Sequence, residues 1–175
     1  MKIKLEYEIL QVLAKNVAHE LKVKYDKEIK EGKFYLFAVM RGGATFGHLV
    51  SQRLGMPLGV VYPGAGEDLP FYFYPKVIDY QAPDHVMIYL EDVIAKGRTL
   101  QKVLGHHDAY LKCAREFVPV VMDVNVDPQI KAQVNICGIV TADWIVFPYE
   151  DSAHVIEGDR GLFRDGTSQN NQTQV

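Results

Sequence analysis

Two cysteines in 175 residues are too few for a disulfide scaffold, and Cys113 and Cys137 lack the spacing of metal ligands. No apolar run approaches a membrane span. The longest, such as residues 34–40, fall far short of the roughly 20 residues a spanning helix needs. Met1-Lys2-Ile3-Lys4 does not open a secretory signal, so a reducing cytoplasm is the expected setting. Neither sign of charge dominates: 19 Lys and Arg meet 22 Asp and Glu, a formal net charge of −3. That removes the global electrostatic footprint of a nucleic-acid binder. No internal repeat is visible, and the length suits one domain with a full core.

What is present is an alternation of apolar runs and helical periodicities. Leu5, Ile9, Leu10, Leu13, Val17 and Leu21 predict an amphipathic helix over residues 5–24. Residues 34–40 read as a strand buried on both faces, ended by Arg41-Gly42-Gly43. A helix over 44–54, closed by Gly55, and a strand over 58–62 follow. Residues 63–83 are rich in proline, glycine and aromatics and predict a long mobile loop, with a hairpin strand or two within 71–80. Further strands fall at 86–90 and 117–124, with a helix at 99–111 between them and short apolar pieces at 135–140 and 144–147. Residues 166–175 lack apolar periodicity and predict a disordered tail after a single domain over 1–165. The order implies an α/β fold with a mainly parallel sheet flanked by helices. Ligands of such sheets sit off the carboxyl ends of the strands, the rim that carries both Met40-Arg41-Gly42-Gly43 and residues 91–99.

The chemistry on that rim points to one kind of ligand. Lys96-Gly97-Arg98-Thr99 precedes a helix, where successive backbone N–H groups and the helix dipole attract an anion. Glu91 and Asp92, just upstream, suit vicinal hydroxyls or a metal ion. Phosphate and hydroxyl binding together describe a ribose 5-phosphate. His106-His107 is not a metal pair, because adjacent helical side chains diverge by about 100°; solvated or capping histidines are expected.

Residues 86–100 resemble the phosphoribosyl-diphosphate signature of the type I phosphoribosyltransferases: an apolar strand, two acids, two apolar residues and a short phosphate loop ending in Thr99. The resemblance spans roughly residues 5–155 and implies that family's fold with a flexible hood loop, here around residues 64–73. It implies pyrophosphate binding by Met40, Arg41, Gly42 and Gly43, with a cis peptide at Met40–Arg41. Ala95, Lys96, Gly97, Arg98 and Thr99 would cradle the 5-phosphate, and Glu91, Asp92 and Arg41 would carry the catalysis. Asp143-Trp144-Ile145-Val146-Phe147-Pro148-Tyr149-Glu150 resembles the base-binding segment of the hypoxanthine, xanthine and guanine enzymes. There Trp144 would stack on the base and Ile145 would read its edge through the backbone; the other reading of Trp144 is a core residue. The implied cofactor is Mg2+, held by Glu91 and Asp92 with Glu150 or Asp151. The implied partners are phosphoribosyl diphosphate, a nucleobase and a nucleoside monophosphate, in a homo-oligomer (dimer or tetramer) with no nucleic acid and no membrane.

Two stretches depart from the resemblance. The oxopurine enzymes carry an aspartate at the place of Ala95 and a small hydroxyl residue at that of Lys96. Near Asp123 and Asn125 they carry a lysine donor, whereas this strand offers acceptors, which suit an exocyclic amine. The expected function is purine salvage by transfer of a phosphoribosyl group. Alternatives are a transferase for an amino-bearing base, or a non-catalytic nucleotide or phosphoribosyl-diphosphate sensor.

Overall fold

The computed structural model describes residues 2–64, 72–74 and 83–149. Most of the expected hood loop, Glu150, Asp151 and the tail lie outside the described residues. The chain opens with β1 (Lys2–Lys4), α1 (Tyr7–Lys24) and the short α2 (Asp26–Lys30). Then come β2 (Phe34–Val39), α3 (Gly43–Leu54), β3 (Leu58–Tyr62) and β4 (Tyr72–Tyr74). The second half runs β5 (Val86–Ile94), α4 (Arg98–Tyr110), β6 (Ala114–Asp123), α5 (Pro128–Lys131), β7 (Ile139–Thr141) and β8 (Trp144–Val146).

Six strands form one sheet in the order β4-β3-β2-β5-β6-β7, in which only the β3–β4 pair is antiparallel. β1 and β8 form a separate parallel pair. From β2 the chain crosses through α3 to β3 on one side; from β5 it crosses through α4 to β6 on the other. The loops after β2 and β5 therefore part at the point where strand order reverses, which opens a crevice between them.

Alternation along β5 builds a core on each face. Val86, Ile88 and Leu90 pack with Leu10 and Leu21 of α1 and Phe46 and Val50 of α3. Met87 and Tyr89 pack with Leu100 and Val103 of α4. On α1 the buried stripe is Leu10, Ala14, Val17, Ala18 and Leu21, while Ile9 turns outward. The small alanines let α1 approach closely, which a stripe drawn from large side chains alone does not anticipate. Two sequence boundaries move: β5 continues past Leu90 to Ile94, and β6 starts at Ala114. Both extensions use polar residues that the parallel ladder accommodates, Glu91 pairing with Pro119 and Glu116 with Ile88.

His107 corrects the expectation of a solvated or capping histidine. It is buried, with Nε2 2.9 Å from the Cys113 carbonyl oxygen and Nδ1 2.7 Å from the Tyr89 hydroxyl. A carbonyl only accepts, so Nε2 carries the proton and Nδ1 accepts from Tyr89. This neutral imidazole ties α4 to β5 and to the start of β6. Burial pushes its pKa below the ordinary 6.5, against the opposing pull of the Cys113 carbonyl. Below 6.5 the unfolded chain takes up a proton that the folded one refuses, so stability is lost as pH falls from 6.5 towards the folded value. Urea unfolding between pH 8 and pH 5 should show a steeper acid loss in the wild type than in His107→Gln. Equal slopes would contradict the buried neutral imidazole.

Candidate active site

Because β5 continues through the acidic pair, Glu91 and Asp92 leave the strand on opposite faces, but the Glu91 carboxylate folds back onto its neighbour, its Oε1 accepting from the Asp92 N–H at 3.2 Å. Glu91 follows Met87 and Tyr89 to the α4 side, where it is 6% exposed and lines a cleft with the loop before α4. Asp92 follows Leu90 to the α3 side and meets the loop after β2. A Cβ on Gly42 would lie 2.1 Å from the Asp92 carboxylate, and one on Gly43 would lie 2.2 Å from the Leu90 carbonyl oxygen. The paired glycines are what permit this approach. The Met40–Arg41 peptide between β2 and the glycines is cis, and Arg41 is exposed at the tip.

Asp92 is held in place by two further contacts. Its Oδ1 accepts from the Val93 N–H at 2.7 Å, and the Tyr149 hydroxyl lies 3.5 Å from both its Oδ2 and the Gly42 carbonyl oxygen. Tyr149 is stacked on the buried Phe147, ring centroids 5.2 Å apart. Tyr149 thus touches both the glycine loop and the acidic end of β5, a role that its place in the sequence did not signal. Burial, and next the neighbouring Asp92 charge, raise the Glu91 pKa well above the ordinary carboxylate value.

The cleft beside Glu91 has a volume of about 310 Å³ and is lined by Val93, Ile94 and the run from Ala95 to Leu100. Gly97 occupies the N-cap of α4 at φ 71°, and a Cβ there would run into the Ile130 side chain at 2.3 Å. The N-cap Gly97 has no side chain to cap α4 and no acid occupies the first turn, and this helix start lines the cleft with Lys96 and Arg98. Uncapped N–H groups and the positive end of the dipole suit a phosphate. Ala95 sits in this lining with no group that moves a proton.

The third segment is more exposed. Trp144 is 63% exposed on β8, which removes the core reading, whereas Ile145 is buried. The Val146 carbonyl accepts from the Leu5 N–H at 2.8 Å, so β8 turns Val146 towards β1. Backbone groups of neighbouring residues alternate between strand edges, and those of Ile145 face the edge that no described strand pairs. Asp123, at the end of β6, spends Oδ1 on the Asn125 N–H at 2.7 Å. It therefore serves first as a turn residue. Glu150 and Asp151, the further metal candidates, lie outside the described residues. Among the described residues no three potential ligands cluster into a ready-made metal cage.

A mainly parallel sheet flanked by helices, with a glycine loop at its switch point, defines an open α/β fold. The particular fold is that of the type I phosphoribosyltransferases. A purine phosphoribosyltransferase from Pyrococcus horikoshii superposes with a TM-score of 0.64 at 21% identity, over 86% of this chain and 94% of that one. A hypothetical protein from Neisseria gonorrhoeae with bound ppGpp gives 0.62 at 15% identity, over 91% and 94%. A hypoxanthine-guanine phosphoribosyltransferase from Bacillus anthracis gives 0.58 at 16% identity, over 78% and 79%. No protein-family model and no curated protein matches the chain. No helix among the described residues is long and apolar enough to cross a membrane.

The close approach of Gly43 to β5 yields a direct expectation. Gly43→Ala forces a methyl group into the Leu90 backbone and should cost about 1–3 kcal/mol, the range for overpacking. Thermal unfolding measures it; an unchanged melting temperature would mean that the loop and β5 are not in contact.

Proposed function

We propose that this chain is a cytoplasmic, Mg2+-dependent phosphoribosyltransferase of purine salvage, joining a purine base to phosphoribosyl diphosphate with release of pyrophosphate. It would act as a dimer or tetramer. The observation that carries the reading is the contact of Asp92 with Gly42, which unites the acidic strand and the glycine loop at one point of the rim. The uncapped start of α4 offers a phosphate site on the other side of the same strand end.

In this reading the 5-phosphate rests on the backbone from Ala95 to Thr99, with Lys96 and Arg98 supplying positive charge. Asp92 and Glu91 orient the ribose hydroxyls. Arg41, on the loop from Met40 to Gly43, clamps the pyrophosphate. Trp144 stacks on the base and the Ile145 backbone reads its edge, while Asp123 holds the chain turn nearby. The bond from the anomeric carbon to pyrophosphate breaks as the bond to a base nitrogen forms. Positive charge grows on the ribose ring and negative charge on the leaving group, where Arg41 stabilises it. Ala95 takes no proton, so the base must lose its proton to water or bind already ionised. General-base help is worth about 10²–10⁴-fold, which sets how much slower such a site runs than one holding an acid at this position.

Mg2+ fits the donor set: two carboxylates at a strand end, joined by phosphate oxygens and water, are its usual surroundings. Glu91 and Asp92 would hold it, with Glu150 or Asp151 as further ligands, and when bound it neutralises charge on the pyrophosphate.

Incubation with Mg2+, phosphoribosyl diphosphate and a panel of bases should release pyrophosphate with a purine. Binding of phosphoribosyl diphosphate without release for any base would instead identify a sensor. Arg41→Ala should lose about 1.5–3 kcal/mol of pyrophosphate affinity by calorimetry, the worth of a charge-assisted hydrogen bond. The double variant Glu91→Gln, Asp92→Asn should stay folded and bind phosphoribosyl diphosphate more weakly. Unchanged affinity would remove both acids from the site.

A further inference from the structure

Stacking on Trp144 accepts any planar base, because every base has a π-face; the choice among bases falls to groups at the base edge. The neighbours of Trp144 on its own face of the strand pair come from β1. In register, Lys2 lies opposite Trp144, Ile3 opposite Ile145 and Lys4 opposite Val146. Residues in register across parallel strands point to the same face, with strands about 4.8 Å apart. Ile3 and Ile145 therefore share one face and Lys2, Lys4, Trp144 and Val146 share the other. On β8 burial follows this alternation, Ile145 being packed into the core and Trp144 exposed, while all three residues of β1, Lys2, Ile3 and Lys4, are exposed. Neither lysine makes an ion pair among the described residues. Two ammonium groups on flexible stems thus extend from the face that carries the indole, with no acid paired to them among the described residues.

From this juxtaposition we infer that Lys2 and Lys4 set the base preference of the site, selecting a base with an exocyclic carbonyl over one with an exocyclic amine. The inference rests on the transferase reading and on Trp144 as its base platform. An ammonium group has three donors and no acceptor. It donates to a carbonyl oxygen at the edge of a stacked 6-oxopurine, whereas the amino group of a 6-aminopurine presents only donors against it. The lysines therefore discriminate by donation to the one and by opposed donors to the other. They also offset the leaning towards amino-bearing bases read from Asp123, whose Oδ1 is committed to the Asn125 N–H. Both lysines precede the buried Leu5 and lie on the exposed face, so replacing them removes no core contact.

Trp144 is the sole tryptophan, so its fluorescence reports stacking without labels. Inosine and adenosine 5′-monophosphates are titrated into the full-length protein, with calorimetry in parallel. Both should quench Trp144, and the inosine nucleotide should bind about tenfold more tightly, as one charge-assisted hydrogen bond would give. In the double variant Lys2→Ala, Lys4→Ala the ratio should fall to within about twofold with quenching retained, whereas Lys2→Arg, Lys4→Arg should keep the preference. A preference that survives the double alanine change, or an adenosine preference in the wild type, overturns the inference and leaves the transferase reading standing. Calorimetric binding without any quenching overturns the Trp144 platform and the inference together. An absence of binding for both nucleotides overturns the transferase reading as well.

Discussion

The contact between the Asp92 carboxylate and Gly42 is the constraint on which the rim is built. It requires β5 to keep its extended alternation through both acids, since only then does Asp92 turn to the α3 side while Glu91 turns to the α4 side. It also requires glycines at both positions of the facing loop, because any Cβ at Gly42 or Gly43 would enter the space held by β5. One strand thereby meets a glycine loop on one face and a cleft at a helix start on the other.

Each side is supported from behind. On the α4 side, His107 joins Tyr89 to the Cys113 carbonyl, fixing the helix whose first turn faces the cleft against the strand that carries Glu91. On the α3 side, α1 packs against α3 in the same core as Leu90, Ile145 and Phe147. Phe147 in turn stacks on Tyr149, whose hydroxyl lies over Gly42 and Asp92. The segment from Trp144 to Tyr149 is therefore linked through packed aromatic rings to the glycine loop and to the acidic end of β5.

Much of this was legible in the sequence for physical reasons. Strands buried on both faces leave continuous apolar runs, so residues 34–40 and 86–90 stood out, and the glycine breaks after them marked the rim. The acids inside β5 were not recognised as strand residues, because charge normally signals a strand end; the ladder to Pro119, Val121 and Met122 carries them. β1 was missed because three residues give no periodicity, and its pairing with β8 joins the two ends of the described chain. Adjacent histidines on a polar helix give no hint that His107 finds two buried partners. Lys2 and Lys4 gained meaning only through their register with Trp144 and Val146.

The account stands on phosphoribosyl diphosphate lying across the rim, and a crystal structure of the protein with that ligand and Mg2+ tests this most directly. The 5-phosphate is expected on the N–H groups of residues 96–99, the pyrophosphate at Arg41, Gly42 and Gly43, and the ribose hydroxyls at Glu91 and Asp92. Density for the ligand away from the start of α4, with the loop after β2 making no contact to it, would contradict the account.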